Sequence, residues 1–171
     1  MSLQLSVCIP TYNFGAYIGA TLESIIRQAT EEVEIVVVDG ASTDDTPAVV
    51  AKYQESFPRL KYIRRPVRGG FDRDIALTAD YASAPYCWFF SADDLMLDGA
   101  IEKVLARLPY QDDVILVETM FGSLHGIPLR DYPNFSTREE RAFNLSDPAE
   151  RLEYFALANN TQPFFSFCSA A

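Results

Sequence analysis

Short apolar runs alternate along this chain with segments whose apolar residues recur at helical spacing. The runs that predict strands cover residues 5–10, 35–38, 60–63, 86–90 and 114–117. Between them, apolar side chains recur every three or four residues, as they do on one face of an amphipathic helix. Strands that alternate with helices favour right-handed crossovers and a mostly parallel sheet. We therefore predict a doubly wound α/β fold with helices on both faces of the sheet.

Local signals place the predicted helices. Asn13 can cap a first helix, whose apolar residues stand at 17, 18, 22, 25 and 26. Thr46 and Pro47 read as the cap and the first position of a second helix. A third helix is predicted at about residues 73–81, and a fourth carries apolar residues at 101, 104, 105 and 108. Asp44 and Asp45 are expected to be cap and surface carboxylates with little catalytic weight.

Two adjacent carboxylates, Asp93 and Asp94, follow the apolar run at residues 86–90. That run predicts a strand buried on both faces, and open α/β sheets bind ligands at the carboxyl ends of their strands. Neighbouring carboxylates repel each other unless a cation lies between them, and a divalent metal that carries a diphosphate meets this need. The alternative is an exposed turn that opens the next helix, where acidic residues complement the helix dipole.

The composition limits the classes of partner. The 171 residues suffice for one domain with its own core, and the net charge of −10 argues against nucleic acid. The same negative charge argues against binding to an anionic membrane through charge alone. No apolar stretch spans a bilayer and no signal peptide is evident, so we expect a cytoplasmic protein, with peripheral association at the inner membrane face as an open possibility. Cys8, Cys87 and Cys168 lie among apolar residues, which favours buried thiols.

Four motifs in register resemble the nucleotide-sugar-binding half of glycosyltransferase family 2, the inverting enzymes with the GT-A fold. They are Val-Cys-Ile-Pro-Thr-Tyr-Asn at 7–13, Val-Val-Asp-Gly-Ala-Ser-Thr-Asp at 37–44, Gly-Gly at 69–70 with Arg-Asp at 73–74, and Phe-Ser-Ala-Asp-Asp at 90–94. The segment at Asp39 and the acidic triplet at 72–74 look most like the branch that adds abequose-type sugars to O-antigen. The resemblance implies a single GT-A-like domain, with a donor-binding core at 1–120 and a partial acceptor-side region at 121–171.

The resemblance also implies a nucleotide-sugar site at the ends of the first, second and fourth strands and in the glycine-rich loop at residues 64–70. Its expected residues are Pro10, Thr11, Tyr12, Asn13, Asp39, Gly40, Arg68, Gly70, Arg73 and Asp93. Thr11 and Tyr12 offer backbone groups and a ring face to a planar base, while the family position matched by Asp39 reads the base. Arg68 and Gly70 let a guanidinium and bare backbone approach a diphosphate.

Two departures from the family pattern leave alternatives open. Arg73 matches the Arg of the family's Arg-Asn pair, but Asp74 replaces the Asn, so a salt bridge from Arg73 to Asp72 or Asp74 competes with a ligand contact. Ser91 stands where the family usually carries an Asp. By resemblance, Asp94 is a direct ligand of Mg²⁺ or Mn²⁺, and Asp93 faces the ribose or the metal. The metal would stabilise the charge of the departing nucleoside diphosphate.

The sequence does not identify the general base that inversion requires. Family members carry this carboxylate beyond the strand that residues 164–168 represent, and the chain ends at Ala171. Glu118 and Asp131 are the available substitutes, whereas His125 is expected in a loop. We therefore expect a C-terminally truncated chain that binds donor but transfers sugar slowly.

Residues 121–144 show no clear period and are rich in Gly, Pro and aromatic residues, as in a lid or an acceptor-binding surface. Tyr132 and Phe135 are candidates to stack on a saccharide or to rest against a lipid-linked acceptor, or else to fill a small satellite core. A helix is then expected to start near Asp147, with Leu152 and Phe155 facing inward.

Three functions are compatible with these observations. The first is a glycosyltransferase that uses a nucleoside-diphosphate sugar, and the second is a non-catalytic nucleotide- or carbohydrate-binding module. The third is a dinucleotide-dependent oxidoreductase, because an Asp that ends the second strand also suits a ribose hydroxyl. A glycine-rich fingerprint should then follow the first strand, but residues 10–15 hold only Gly15.

Overall fold

The computed structural model describes residues 2–108 and 143–160, with the backbone alone for residues 157–160. The chain divides into two compact units, Met1–Ile115 and Leu116–Ala171. In chain order, the elements of the first unit are β1 (Leu5–Thr11), α1 (Gly15–Ile26), β2 (Val33–Asp39), α2 (Thr46–Ser56), β3 (Leu60–Arg64), α3 (Phe71–Asp80), β4 (Tyr86–Phe89) and α4 (Ala100–Arg107). The second unit contains α5 (Pro148–Asn160). None of these described helices combines the length and the apolar character needed to cross a membrane.

The four strands form one parallel sheet in the order β3-β2-β1-β4. The pairing of β1 with β2 runs from Leu5 opposite Val33 to Thr11 opposite Asp39. Every residue of these two strands is buried, because each strand has a neighbour on both sides and helices cover the sheet. The predicted α/β fold with a parallel sheet is confirmed for the described residues, while the strand predicted at 114–117 lies outside them.

The strand order of the described sheet reverses at one point, and this reversal predicts which edge binds a ligand. From β1 to β3 the sheet grows in one direction, and the connection through α3 then returns to the other side of β1, where β4 lies. Right-handed crossovers place α1 and α2 on one face and α3 on the other. In agreement, α1 contacts α2, whereas α3 contacts β1 and β2. Open α/β sheets bind ligands at the carboxyl ends of strands beside such a reversal, which here lies between β1 and β4.

The fourth strand differs from the prediction of a strand buried on both faces. It ends at Phe89 and lies at the edge of the sheet formed by the described residues. Within β4 only Trp88 is fully buried, and Cys87 is exposed. The expectation of buried thiols is therefore correct for Cys8 and wrong for Cys87, because an edge strand leaves part of its surface uncovered. Cys168 lies outside the described residues.

The structure also corrects one predicted helix start and one alternative for the acidic pair. The third helix begins at Phe71, two residues earlier than expected, directly after Gly70, whose φ of 91° is one that glycine adopts without strain. The fourth begins at Ala100, and its first turn therefore does not include Asp93 or Asp94. The alternative in which the acidic pair opens this helix is wrong, because an irregular segment separates the pair from the helix.

The helix of the second unit begins where it was predicted but exposes the residues expected to face inward. The Asp147 carboxylate accepts hydrogen bonds from the second and third helical N–H groups, at 2.8 and 3.1 Å. Leu152 and Phe155 are 73% and 57% exposed. Instead, Tyr154 is half-buried and packs against Phe143, with 5.6 Å between the ring centroids. The covered face of α5 is thus the one that carries Tyr154.

A buried carboxylate joins three segments near the amino ends of the strands. Glu34, which is 2% exposed, accepts hydrogen bonds from the Ser6 hydroxyl (2.7 Å) and the Ser83 N–H, and pairs with the Lys61 ammonium at 2.9 Å. Burial acts to raise the pKa of Glu34, but these three partners outweigh burial and hold the pKa below its usual range. Since Ser83 lies between α3 and β4, this network attaches that connection to the sheet.

We predict that Glu34→Gln lowers the free energy of unfolding at pH 7 by about 2 kcal/mol, because charge-assisted hydrogen bonds weaken. The folded-state pKa of Glu34 lies below that of an unfolded glutamate, about 4.3. Its stabilisation is therefore complete above that value and is lost as the pH falls through the folded pKa. Urea unfolding should show a smaller loss at about pH 3 than at pH 7. Glu31→Gln, at an exposed neighbour, is the control, and an equal loss at both pH values contradicts the prediction.

Candidate functional site

Polar residues follow three adjacent strands at the carboxyl edge of the sheet. Thr11 ends β1 and lies opposite Asp39, which ends β2. The last ladder bond to β4 runs from the Phe90 N–H to the Cys8 carbonyl, and Asp93 follows shortly after. The fold therefore brings the predicted base-binding residues and the acidic pair to one edge, beside the reversal of strand order.

Asp39 is the most enclosed of the predicted site residues. It has no exposed surface, and its carboxylate accepts hydrogen bonds from the Ser42 N–H at 2.7 Å and from the Tyr62 hydroxyl at 2.5 Å. The Arg64 guanidinium lies 3.8 Å from the same carboxylate. Burial, and next the hydrogen bond to Asp39, raise the pKa of Tyr62 well above its usual range, so its hydroxyl stays protonated as a donor. Asp39 therefore fixes the turn after β2 and the end of β3.

The segment after Asp39 packs against the segment after β1. The Asn13 N–H donates to the Ser42 hydroxyl at 2.8 Å, and the Asn13 side-chain oxygen accepts from the Thr43 N–H at 2.7 Å. Both Asn13 and Ala41 have positive φ values, 59° and 70°, as required by these two tight turns. The prediction that Asn13 caps α1 is wrong: Phe14 is the residue before the helix, and the Asn13 side chain bonds across to the second loop.

Asp44 supplies the missing cap of α1 and also holds the start of α2. Its carboxylate accepts hydrogen bonds from the Gly15 N–H at 2.9 Å and from the Thr46 N–H at 3.0 Å. Partial burial acts to raise the pKa of Asp44, but hydrogen bonds from Thr46 and Gly15 outweigh it and lower the pKa. Thr46 is the first residue of α2 and Asp45 precedes it, so Thr46 is not the cap. At α1 a side chain distant in sequence replaces the local cap because the two loops are in contact, whereas at α2 the same carboxylate is a local acceptor.

A buried ion pair joins the glycine-rich loop to α3. The Arg65 guanidinium lies 2.6 Å from the Asp74 carboxylate, and both side chains are almost fully buried. A Cβ atom on Gly40 would lie 2.4 Å from that carboxylate, and one on Gly69 would lie 1.6 Å from the guanidinium. A side chain at either position would therefore displace the charged end of one member of the pair. Arg73 is exposed, and among the described residues it forms no salt bridge with Asp72 or Asp74.

Arg68 contacts the ring that was predicted to hold the base. Its guanidinium carbon lies 4.2 Å from the centroid of the Tyr12 ring, within cation–π distance. One face of Tyr12 is thus occupied by a cation that the glycine-rich loop supplies. The contact places a positive charge close to the end of β1, where a diphosphate group would need one.

Among the described residues, the Thr11 hydroxyl is the only buried side-chain oxygen or nitrogen that lacks a hydrogen-bond partner. Thr11 is 4% exposed, and the Gly40 N–H donates to its carbonyl and not to its hydroxyl. An unpaired buried hydroxyl costs free energy, so such groups are rare outside functional sites.

Pro10, the residue before Thr11, lies beyond the part of β1 that pairs with β4. Proline has no backbone N–H, and none is needed here because the β4 ladder has already ended.

The acidic pair divides into one oriented and one unpaired carboxylate. The Ser91 hydroxyl donates to the Asp93 carboxylate, so the residue that replaces the family's Asp orients its neighbour. Asp94 is half-buried, and no described residue forms a hydrogen bond or a salt bridge with its carboxylate. Within the described ranges no group of three acidic, His or Cys side chains could hold a metal ion by itself. Two carboxylates still fit Mg²⁺ or Mn²⁺ when phosphate and water complete the shell.

Several predicted positions fall outside the described residues. These are Glu118 and Asp131 as substitutes for the base, His125, and the aromatic residues Tyr132 and Phe135. Their roles stay predictions.

Four residues around Asp39 and Asp74 were missed by the sequence reasoning: Ser42, Tyr62, Arg64 and Arg65. For two of them the sequence held a usable signal. Tyr62 and Arg64 stand two residues apart in β3, so they share one face of the strand, and Arg64 is opposite Asp39 in the register. Once β2 and β3 are paired, a basic residue opposite an acidic one indicates a contact.

A family model for glycosyl transferase family 2 matches residues 6–170, nearly the whole chain. The chain belongs to glycosyltransferase family 2. Among curated relatives, the abequosyltransferase RfbV of Salmonella typhimurium is 26% identical over 98% of this chain and 52% of its own length. The chain thus spans about half of RfbV, and the family and abequosyltransferase resemblance seen in the motifs is confirmed.

Two solved structures resemble this chain in fold. S. aureus TarS residues 1–349 match with a TM-score of 0.68 and 28% identity, over 78% of this chain and 40% of that chain. The same fragment is known in complex with UDP-GlcNAc. A mannosyltransferase from Pyrobaculum calidifontis, in complex with GDP-Man and Mn²⁺, matches with a TM-score of 0.60 and 25% identity over 72% of this chain and 36% of that chain. The GT-A fold is confirmed.

We predict that Arg65→Met lowers the free energy of unfolding by about 3 kcal/mol, because it leaves the buried Asp74 carboxylate unpaired. Adding Asp74→Asn should restore part of the loss, since the buried charge is then removed as well. Arg27→Met is the matched control: Arg27 pairs with Asp98 at a similar distance of 2.7 Å, but both side chains are exposed, so its loss should stay below about 1 kcal/mol. Chemical denaturation measures all three variants, and equal losses in the two Arg variants would contradict the prediction.

Proposed function

We propose that this chain is the donor-binding part of a glycosyltransferase that moves a sugar from a nucleoside diphosphate to a saccharide or lipid-linked saccharide, with inversion. Donor binding is assigned to residues 1–120 and acceptor contacts to residues 121–171. Family membership supports the glycosyltransferase over an oxidoreductase. Relatives that bind UDP-GlcNAc and GDP-Man support a nucleoside-diphosphate sugar as the donor.

The observation that carries this proposal is the unpartnered hydroxyl of Thr11 at the carboxyl end of β1. It lies one residue from Tyr12, whose ring is held by Arg68, and it is opposite Asp39. The hydroxyl is enclosed in the free protein, so the site must open before a nucleotide base can give it the partner that it lacks. A diphosphate would then extend toward Arg68. The site thus offers a polar contact for the base and a cation for the phosphates, side by side.

The base-reading role of Asp39 requires a small opening of the site. Its carboxylate accepts from Ser42 and Tyr62, but a carboxylate has about four lone-pair positions, so capacity remains for a base N–H. Since Asp39 has no exposed surface, a neighbour must move for the base to reach it. Arg64 is the neighbour that we expect to move, because it is half-exposed and its contact with Asp39 is the longest of the three at 3.8 Å. This movement breaks one hydrogen bond, from the Arg64 guanidinium to the Ser42 carbonyl at 2.7 Å.

The metal-assisted part of the proposal concerns Asp94 and Asp93. The unpaired, half-buried Asp94 is assigned as the direct ligand of Mg²⁺ or Mn²⁺, with Asp93 in support. A relative solved with GDP-Man and Mn²⁺ supports metal use. When bound, such an ion neutralises the charge of the departing diphosphate. The protein's own part is to hold the two carboxylates beside the phosphates and to supply the cation of Arg68.

We predict that Thr11→Val weakens nucleoside-diphosphate binding about fivefold while leaving the free protein equally stable or more stable. The substitution keeps the shape of the side chain and removes a hydroxyl that has no partner in the free protein. A thermal-shift panel of UDP, CDP, GDP and dTDP, with and without Mn²⁺, would identify the nucleotide, and titration would give the affinities. Thr78→Val is the control, because Thr78 is equally buried but donates within its own helix. Unchanged affinity in Thr11→Val would remove Thr11 from the site.

We further predict that a divalent ion raises nucleotide affinity and that Asp94→Asn abolishes most of that gain, since an amide is a poor ligand for Mg²⁺ or Mn²⁺. Affinity in EDTA should be unchanged by the substitution. Asp98→Asn, an exposed carboxylate nearby that pairs with Arg27, serves as the control. Calorimetry that finds the same nucleotide affinity in EDTA and in excess Mn²⁺ would exclude metal assistance.

A further inference from the structure

Two buried hydroxyls on α1 form hydrogen bonds either within the helix or with the irregular segment at residues 90–99, which carries Asp93 and Asp94 and is called the acidic loop. Thr21 and Ser24 are 0% and 5% exposed, on a helix whose other large buried side chains are apolar. A hydroxyl buried in such a place destabilises the fold unless a hydrogen bond compensates. The two residues are three apart, so they lie on one face of α1. Their burial therefore indicates a specific structural task for that face.

The task is visible in their hydrogen bonds. The Thr21 hydroxyl donates to the Ala92 carbonyl at 2.9 Å. The Ser24 hydroxyl accepts from the Met96 N–H at 2.9 Å and donates to the Thr21 carbonyl at 2.7 Å. Ala92 directly precedes the acidic pair, and Met96 follows it after one intervening residue. The helix therefore fixes the backbone on both sides of the pair.

A third polar residue extends this attachment to the next helix. The Gln28 amide donates to the Leu97 carbonyl at 3.0 Å and accepts from the Ile101 N–H at 3.3 Å. The residue before α4 is Gly99, which has no side chain to cap the helix, and Gln28 provides an acceptor from outside. Thr21 and Ser24 of α1, together with Gln28 just after the helix, thus hold the whole segment from the acidic pair to the start of α4.

We propose that Thr21 and Ser24 are positioning residues that orient Asp93 and Asp94 for a divalent cation bound with the donor diphosphate. This inference rests on the proposed function. The acidic pair lies in a segment without regular secondary structure, so the backbone direction at Ala92 and Met96 decides where the two carboxylates point. The supporting groups around metal ligands commonly change metal affinity by about 10- to 100-fold. Here the support comes from α1, which begins shortly after Thr11 and Tyr12, the residues proposed to contact the base.

The test uses the 171-residue chain and whichever of UDP, CDP, GDP and dTDP binds most tightly. Calorimetry measures nucleotide affinity in EDTA and in saturating Mn²⁺, and the ratio of the two gives the metal-dependent gain. We expect Thr21→Val and Ser24→Ala each to reduce that gain about tenfold while leaving affinity in EDTA unchanged. Thr21→Ser keeps the hydroxyl and should retain the gain. Thr78→Val removes an equally buried helical hydroxyl with no partner in the acidic loop and should also retain it.

The outcomes separate this inference from the function on which it rests. If the native chain gains no affinity from Mn²⁺, the metal-assisted function is wrong and the inference is wrong with it. If the native chain shows the gain and Thr21→Val and Ser24→Ala keep it, the inference alone is overturned. Affinity that falls equally in EDTA and in Mn²⁺ also overturns it, since that pattern indicates a general loss of structure. Thermal unfolding of each variant without ligand confirms that the measured chains are folded.

Discussion

The carboxyl edge of the sheet depends on the buried carboxylate of Asp39. A charge with no exposed surface is tolerated only when donors or an opposite charge compensate it. Here the Ser42 N–H and the Tyr62 hydroxyl donate hydrogen bonds to Asp39, while the Arg64 guanidinium lies 3.8 Å away and donates to the Ser42 carbonyl. These three partners come from the turn after β2 and from β3. Asp39 therefore fixes the loop that contacts Asn13, beside the candidate donor site.

Three other described carboxylates, those of Asp44, Asp74 and Asp94, differ in whether the protein itself engages them. Asp44 and Asp74, like Asp39, are engaged by protein donors and hold loops or helix starts in place. Asp94 has no described partner and is half-buried. An acidic residue close to a strand end can thus serve the structure, as Asp39 does, or keep its carboxylate available for a ligand, as Asp94 does. What distinguishes the candidate ligand is that its bonding capacity is unused, and the same property marks the hydroxyl of Thr11.

Most of the fold followed from the sequence, whereas the details of the site followed only in part. The apolar runs predicted four described strands to within one or two residues, because a buried parallel strand leaves a continuous local pattern. The edge position of β4 was missed, since apolar character alone does not distinguish an edge strand from a central one. Caps were predicted from neighbours in sequence, yet Asn13 and Asp44 bond across two loops. Motif resemblance supplied the family and the approximate place of the site.

The sequence by itself determined the order of strands and helices, the burial of the central β-branched runs and the family, because each is recorded in local periodicity or in short motifs. The tertiary structure alone decided which polar groups meet. Arg65 pairs with Asp74 because Gly40 and Gly69 leave room for them, and Thr21 reaches Ala92 across 71 residues. Such contacts depend on the packing of α1 and α3 against the sheet, and no local pattern of residues records that packing.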